Sequence, residues 1–294
     1  MVVNLKINIF AAMNNNRDFR IQKAQETLQI IEQGSYTIDN VVININQQIK
    51  QSVKDTVLYS PDSFKQLLND AEREISTRNF KTLISVKNCT SMAAAEEVGN
   101  KQGKIACLNF ASAKNPGGGF QSGAQAQEES LARASSLYPT LTKYFSEMYE
   151  YNRSRKTLLY SDYMIYSPNV VFFKNDADIL LEKPYTMDIL TSPAVNIGAM
   201  KQNSEEILLA EETMLSRIDK ILSVFLMQKA ENIILGAWGC GVFQNNPQDV
   251  ARYFAHFLKE GGKYEKCFKT VVFAVFDKSI NLQNITPFNS EFLY

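Results

Sequence analysis

From residue 80 to the C-terminus, apolar runs alternate with segments of helical spacing, and that alternation is the strongest constraint on the fold. KTLISVKN is followed by the helical SMAAAEEVGN and then by the apolar run KIACLNFA. Beyond a glycine-rich stretch, AQEESLARASSLYPTLTKYF reads as one helix, and DYMIYSPNVVFFKN, YTMDILTSPAVN, NIILGAWGC and KTVVFAVFD read as strands. Two further helices, EEILLAEETMLSRIDKILSVFLMQKA and PQDVARYFAHFLKE, lie between these strands. Strands apolar along most of their length need cover on both faces, whereas a half-solvated strand alternates. The pattern predicts an α/β layered domain whose mixed sheet carries helices on both sides. In such sheets ligands bind in the crevice at the strand ends, where the loops gather.

The first quarter reads differently. RDFRIQKAQETLQIIEQ carries Ile21, Ala24, Leu28 and Ile31 at helical spacing, and Gly34 supplies a stop. YTIDNVVININ alternates like a strand, with Ile43 and Ile45 on one side, and SPDSFKQLLNDAEREI reads as a capped helix. No Pro/Gly linker or low-complexity block follows. Residues 1–76 are therefore expected to form an N-terminal helical extension packed on a catalytic core of residues 77–294. The opening MVVNLKINIFAAMNNN lacks a basic front end and a continuous apolar core, so it reads as a structural segment and not a signal peptide.

Composition removes several chemistries. Lys+Arg and Asp+Glu are 31 each, so the formal net charge is zero and no global attraction to nucleic acid or membrane is expected. No run of about 18 apolar residues occurs, so no transmembrane helix is expected. Cys89, Cys107, Cys240 and Cys267 are scattered with no C-x-x-C pair, which disfavours zinc and a disulfide framework. A reducing compartment fits, cytoplasmic or, in a eukaryote, nuclear. His256 is the one histidine and falls in the helical DVARYFAHFLKE. A Ser-His-Asp triad and a His-rich metal site are both excluded on that count. Neither metal nor cofactor is expected, and the chemistry falls to carboxylates.

Two loops stand out. NPGGGFQSGAQAQEES follows the strand KIACLNFA and contains Gly117, Gly118 and Gly119. Glycine permits positive φ and lets backbone approach a ligand with no Cβ in the way, and successive amides in one concavity bind anions. A tight strand-to-helix turn is the plainer reading. GAWGCGVFQNNP is a second such unit, with Gly236, Gly239 and Gly241 after a strand and Pro247 opening the next helix. It is neither a Walker A loop nor G-x-G-x-x-G. Two such loops in one domain suggest a diphosphate gripped from both sides.

Gln127, Glu128 and Glu129 lie at the start of the helix beyond the first loop. Adjacent helical residues point about 100° apart, so the two glutamates cannot share one role. Complementing the helix dipole is the ordinary use of such a pair. Here both lie within side-chain reach of anything the loop holds. A carboxyl group buried beside a diphosphate has a raised pKa and can protonate a leaving oxygen, as glycosidic cleavage requires.

GGG, seven residues and QEE, with LNFASAKNP before and GAWGCGVF near the C-terminus, together resemble the microbial poly(ADP-ribose) glycohydrolases, which are macrodomain enzymes. The likeness spans most of the chain. It implies a three-layer α/β/α macrodomain with an N-terminal helical extension, and ADP-ribose or the end of its polymer as ligand. By this resemblance Gly117, Gly118 and Gly119 hold the distal ribose and adjacent phosphate. Gly239, Cys240, Gly241 and Val242 wrap the diphosphate, and Phe243 packs on the distal ribose. Asn109 lines the site, and Gln127 is grouped with the ligand-binding residues. Glu128 takes the ribose hydroxyls, and Glu129 is the acid that protonates the leaving 2′-oxygen and then helps activate water. Many macrodomains carry Asn five residues before the glycine run; this chain has Ser112, whose shorter reach bears on how the distal ribose is positioned.

Other functions use the same residues. A reader of ADP-ribose needs the loops but not the second carboxylate. A hydrolase of mono-ADP-ribosylated targets shares the pocket. A purely structural use of the glycines leaves their pairing with QEE unexplained.

Overall fold

A computed structural model describes residues 16–99, 103–200 and 204–293. Its strands are β1 Ser35–Ile38, β2 Val41–Asn44, β3 Val57–Tyr59, β4 Leu83–Lys87, β5 Ile105–Phe110, β6 Met164–Lys174, β7 Leu180–Ser192, β8 Asn232–Leu235 and β9 Thr270–Ala274. Seven of them form one sheet in the order β3-β6-β7-β5-β8-β9-β4. β7, β5, β8, β9 and β4 run parallel, while β6 is antiparallel to β7 and β3 is antiparallel to β6.

The period of two in each strand divides the core. Ala106, Leu108, Ile233, Leu235, Val271 and Phe273 face one side, where they meet the helices Phe64–Ile75, Ser204–Met227 and Pro247–Leu258. Cys107, Ile234, Val272 and Ala274 face the other, against the helices Ser91–Gly99, Gln127–Ala134 and Leu137–Thr142. Both faces are apolar because both are covered. The fold is therefore the expected three-layer α/β/α arrangement with a mixed sheet.

The N-terminal quarter is not all helix, since β3 is an edge strand of the main sheet. The helix Arg17–Gln33 ends at Gly34, whose φ of 69° suits a glycine C-cap. This helix lies over β6 and over the first glycine loop. Buried Lys174 of β6 donates to Lys23 O at 2.9 Å and Thr27 Oγ1 at 2.8 Å, with Glu26 at 3.1 Å. Burial holds that ammonium down at about 8 against its ion-pair partner. At its start the helix clamps the turn after the glycines, where Arg20 Nε donates to Gly123 O at 2.7 Å and Arg17 Nε to Ser122 O at 2.9 Å.

Two elements differ from the sequence reading. YTIDNVVININ is not a single strand but the hairpin β1–β2, turned by Asp39 and Asn40 with φ of 48° and 65°, as a type I′ turn requires. AQEESLARASSLYPTLTKYF is not one helix. It breaks after Ala134, where Ser135 is extended and bridges Phe172 of β6. Ser135 Oγ donates to Leu131 O and accepts from Leu137 N, and Ser136 Oγ accepts from Val171 N. Paired serines that satisfy local backbone groups compete with helix continuation. The segment MVVNLKINIFAAMNNN lies, but for its last residue, outside the described residues.

Candidate active site

β5 and β8 are adjacent parallel strands, paired from Ile105–Asn232 to Cys107–Ile234. Both glycine loops leave from their C-terminal ends and so rise side by side at one edge of the sheet. β7 ends at the same edge, with Ser192 opposite Phe110. Gly236 keeps the two roots together: a Cβ there meets Ala274 O at 2.4 Å and the Phe110 ring at 2.9 Å.

The first loop is gripped from below by three consecutive side chains. Gln127 Oε1 accepts from Phe110 N at 2.8 Å, Glu128 Oε2 from Ser112 N at 2.6 Å, and Glu129 Oε1 from Gly119 N at 2.9 Å. The glutamates therefore do not cap their own helix; they reach across to the loop. This also accounts for the glycines. Gly117 and Gly118 have φ of 70° and 60°, and a Cβ on Gly118 falls 2.3 Å from Glu129 Oε1 and 3.1 Å from Glu128 Oε2. Bare backbone at Gly118 is what lets two carboxylates approach.

The division of labour between the loops is a correction to the sequence reading. Amides of the first loop are already used: Gly118 N donates to Asn115 O, Gly119 N to Glu129, and Lys114 N and Asn115 N to Ser112 Oγ. Ser112 thus folds its hydroxyl into the turn. The second loop differs. Cys240 N donates to Ala237 O and Gln244 N to Gly241 O, while the amides of Gly239, Gly241, Val242 and Phe243 donate to no protein group among the described residues. Gly241 is open, with no atom within 4 Å of where its Cβ belongs, and Val242 at the tip is 80% exposed. The unspent donors stand here, in an arrangement that can hold an anion. Asn245 Nδ2 fixes the loop by donating to Val195 O at 2.8 Å and Gly239 O at 3.0 Å. Burial pushes the Cys240 thiol up to about 12, so it serves as a neutral loop residue and not as a nucleophile.

Two residues that the sequence groups with the ligand face elsewhere. Gln127 Nε2 donates to Leu108 O and Ser91 Oγ, so its whole amide holds β5 to the helix. Asn109 is fully buried beneath Glu128, donating to Glu128 Oε1 at 3.3 Å and Thr191 Oγ1 at 3.1 Å. Asn109 supports the Glu128 carboxylate from behind, and Gln127 ties the helix that carries it to β5. Phe243 is half-buried, its ring 5.7 Å from that of Tyr160. Tyr160 was not legible as a site residue; its only distinguishing mark is a left-handed φ of 59°, which the sequence does not display.

The two glutamates occupy unlike surroundings. Glu129 is half-buried, and its second oxygen makes no hydrogen bond to the protein among the described residues. Glu128 is 3% exposed. Burial pushes its carboxyl up to about 8, aided by the Glu129 charge and opposed by the Ser112 and Gly117 amides and by Asn109. Linkage gives this a sign. The unfolded chain releases that proton near 4.5 and the folded chain near 8, so rising pH lowers stability across the interval and the loss is complete above it. Glu128→Gln is expected to flatten this part of the profile. Denaturant midpoints taken at stepped pH measure it, and parallel profiles for the two proteins would mean Glu128 ionises normally in the fold.

Residues 24–175 match the family described as microbial-type PARG, catalytic domain. The chain is 40% identical to the poly(ADP-ribose) glycohydrolase of Thermomonospora curvata, with a TM-score of 0.87 over 93% of this chain and 99% of that one. The same enzyme bound to the inhibitor ADP-HPD aligns with a TM-score of 0.85. The Deinococcus radiodurans poly(ADP-ribose) glycohydrolase in complex with ADP-ribose is 39% identical, with a TM-score of 0.77 over 83% of this chain and 96% of that one. No curated protein matches. The fold agrees with these similarities, and the chain belongs to the microbial-type poly(ADP-ribose) glycohydrolases, glycoside hydrolases of a macrodomain-like fold.

Proposed function

We propose that this chain binds the terminal ADP-ribose of a polymer and hydrolyses its ribose–ribose O-glycosidic bond with Glu129 as general acid and base. The diphosphate lies on the free amides of Gly239, Gly241, Val242 and Phe243, with Cys240 between them. The distal ribose rests over Gly117, Gly118 and Gly119, where no Cβ obstructs it, and the Phe243 ring closes one side. Glu128, directly below Gly118, takes ribose hydroxyls. Glu129 protonates the departing 2′-oxygen as positive charge builds on the anomeric carbon, then as carboxylate draws a proton from the attacking water. No step calls for a metal ion.

One observation carries this reading: Glu129 reaches the first glycine loop at Gly119 N, and its other oxygen makes no hydrogen bond to the protein among the described residues. Incubation with automodified poly(ADP-ribose) polymerase, with products identified by mass, is expected to yield free ADP-ribose. Intact polymer alongside saturable ADP-ribose binding would make the chain a reader and remove the hydrolase assignment.

A further inference from the structure

The bond at issue joins the anomeric carbon of the terminal unit's distal ribose to a hydroxyl oxygen on the adenosine of the next unit. Whatever holds that next unit must therefore begin where the distal ribose ends. On the reading above, Glu129 stands at the scissile bond and Phe243 closes one side of the same ribose, and from Phe243 a row of rings and cations continues. Phe243 rests on Tyr160, and the Lys114 ammonium stands 6.0 Å from the Tyr160 ring centre. Arg153 follows, donating from Nε to Lys114 O at 2.8 Å and from Nη2 to Asn115 Oδ1 at 2.9 Å. Beyond it the Arg155 guanidinium lies 5.3 Å from the Tyr151 ring centre and donates to Tyr151 Oη at 2.7 Å. Tyr151 is 37% exposed, and Arg153, Arg155 and Lys156 are exposed as well.

The charges in this row are unspent. Among the described residues, Lys114, Arg153, Arg155 and Lys156 make no ion pair with a carboxylate, although Glu147 and Glu150 stand on the preceding turns. Alternating cations and aromatic faces are the arrangement that holds a flexible strand of bases and phosphates, stacking for the base and charge for the phosphate. Each further ADP-ribose unit offers one adenine and one diphosphate.

We infer that the row Lys114–Arg153–Arg155, with Tyr151, is a second binding surface that holds the ADP-ribose unit on the departing side of the scissile bond. This rests on the placement of the distal ribose against Phe243. The test uses Arg155→Glu combined with Lys156→Glu, two exposed positions that do not touch the glycine loop, made in a Glu129→Gln chain so that binding is read without cleavage. Titrated with a poly(ADP-ribose) chain of defined length, the charge-reversed protein is expected to lose affinity by about tenfold, with a shallower dependence on salt, while free ADP-ribose binds within about twofold. Tyr151→Leu is expected to weaken polymer binding at every salt concentration. Unchanged polymer affinity, or an equal loss for polymer and for free ADP-ribose, overturns the inference. A wild-type chain that releases nothing from polymer counts against the hydrolase reading alone, because the affinities are measured independently of turnover.

Discussion

Glu129→Gln is expected to bind ADP-ribose as the wild type does while turnover of polymer falls by about 10²–10⁴-fold. The amide is isosteric, and its oxygen can still accept from Gly119 N, the bond seen at 2.9 Å. What it lacks is a proton to give the departing 2′-oxygen, and a carboxylate to take one from water. The loss corresponds to about 3–5 kcal/mol of transition-state stabilisation. Single-turnover release of ADP-ribose, set beside calorimetric binding of the free nucleotide, separates the two effects. Turnover at the wild-type rate would remove Glu129 from the chemistry and leave it as a loop anchor.

Gly118→Ala is expected to cost nearly as much activity, with only a modest loss of stability. Alanine at a φ of 60° costs about 1–2 kcal/mol. Its Cβ falls 2.3 Å from Glu129 Oε1, and something must move. The far end of a glutamate moves easily, so the fold survives and the acid is swung away from Gly119. We expect an activity loss on the order of a hundredfold or more, following the misplacement of a catalytic group, and a fall in Tm on the order of 5 °C. Gly236 is the contrast. There a Cβ would meet the Ala274 carbonyl at 2.4 Å, and strand backbone cannot step aside. If Gly118→Ala were fully active with an unchanged melt, the close approach of the carboxylates would not matter.

Much of this architecture was legible because it rests on local pattern. Two-sided apolar strands, glycine runs after β5 and β8, and a helix opening with QEE each have a physical signature within a few residues. What escaped depends on burial and on distant partners. Glu128 and Glu129 are adjacent and chemically alike, yet the first is buried, which raises its carboxyl to about 8, and the second is half-buried. Nothing in the letters says which of two neighbours turns inward. Gln127 looks like a contact residue until its amide is seen between Phe110 N and Leu108 O. The triple glycine invited the idea of empty amides, whereas the loop's own residues and Glu129 have taken them. β3 needed β6, more than 100 residues away, and no local pattern reports such a partner.

The pairing of β5 with β8 has a consequence for how such an enzyme can change over time. Because the two jaws spring from neighbouring rungs of one ladder, their separation at the base is an inter-strand spacing, about 4.8 Å. Residues at the tips, such as exposed Val242, can be exchanged to alter grip, yet no exchange there widens the bite. Gauge belongs to the scaffold and grip to the periphery, so variants can drift in affinity while the width accepted between the jaws stays the same.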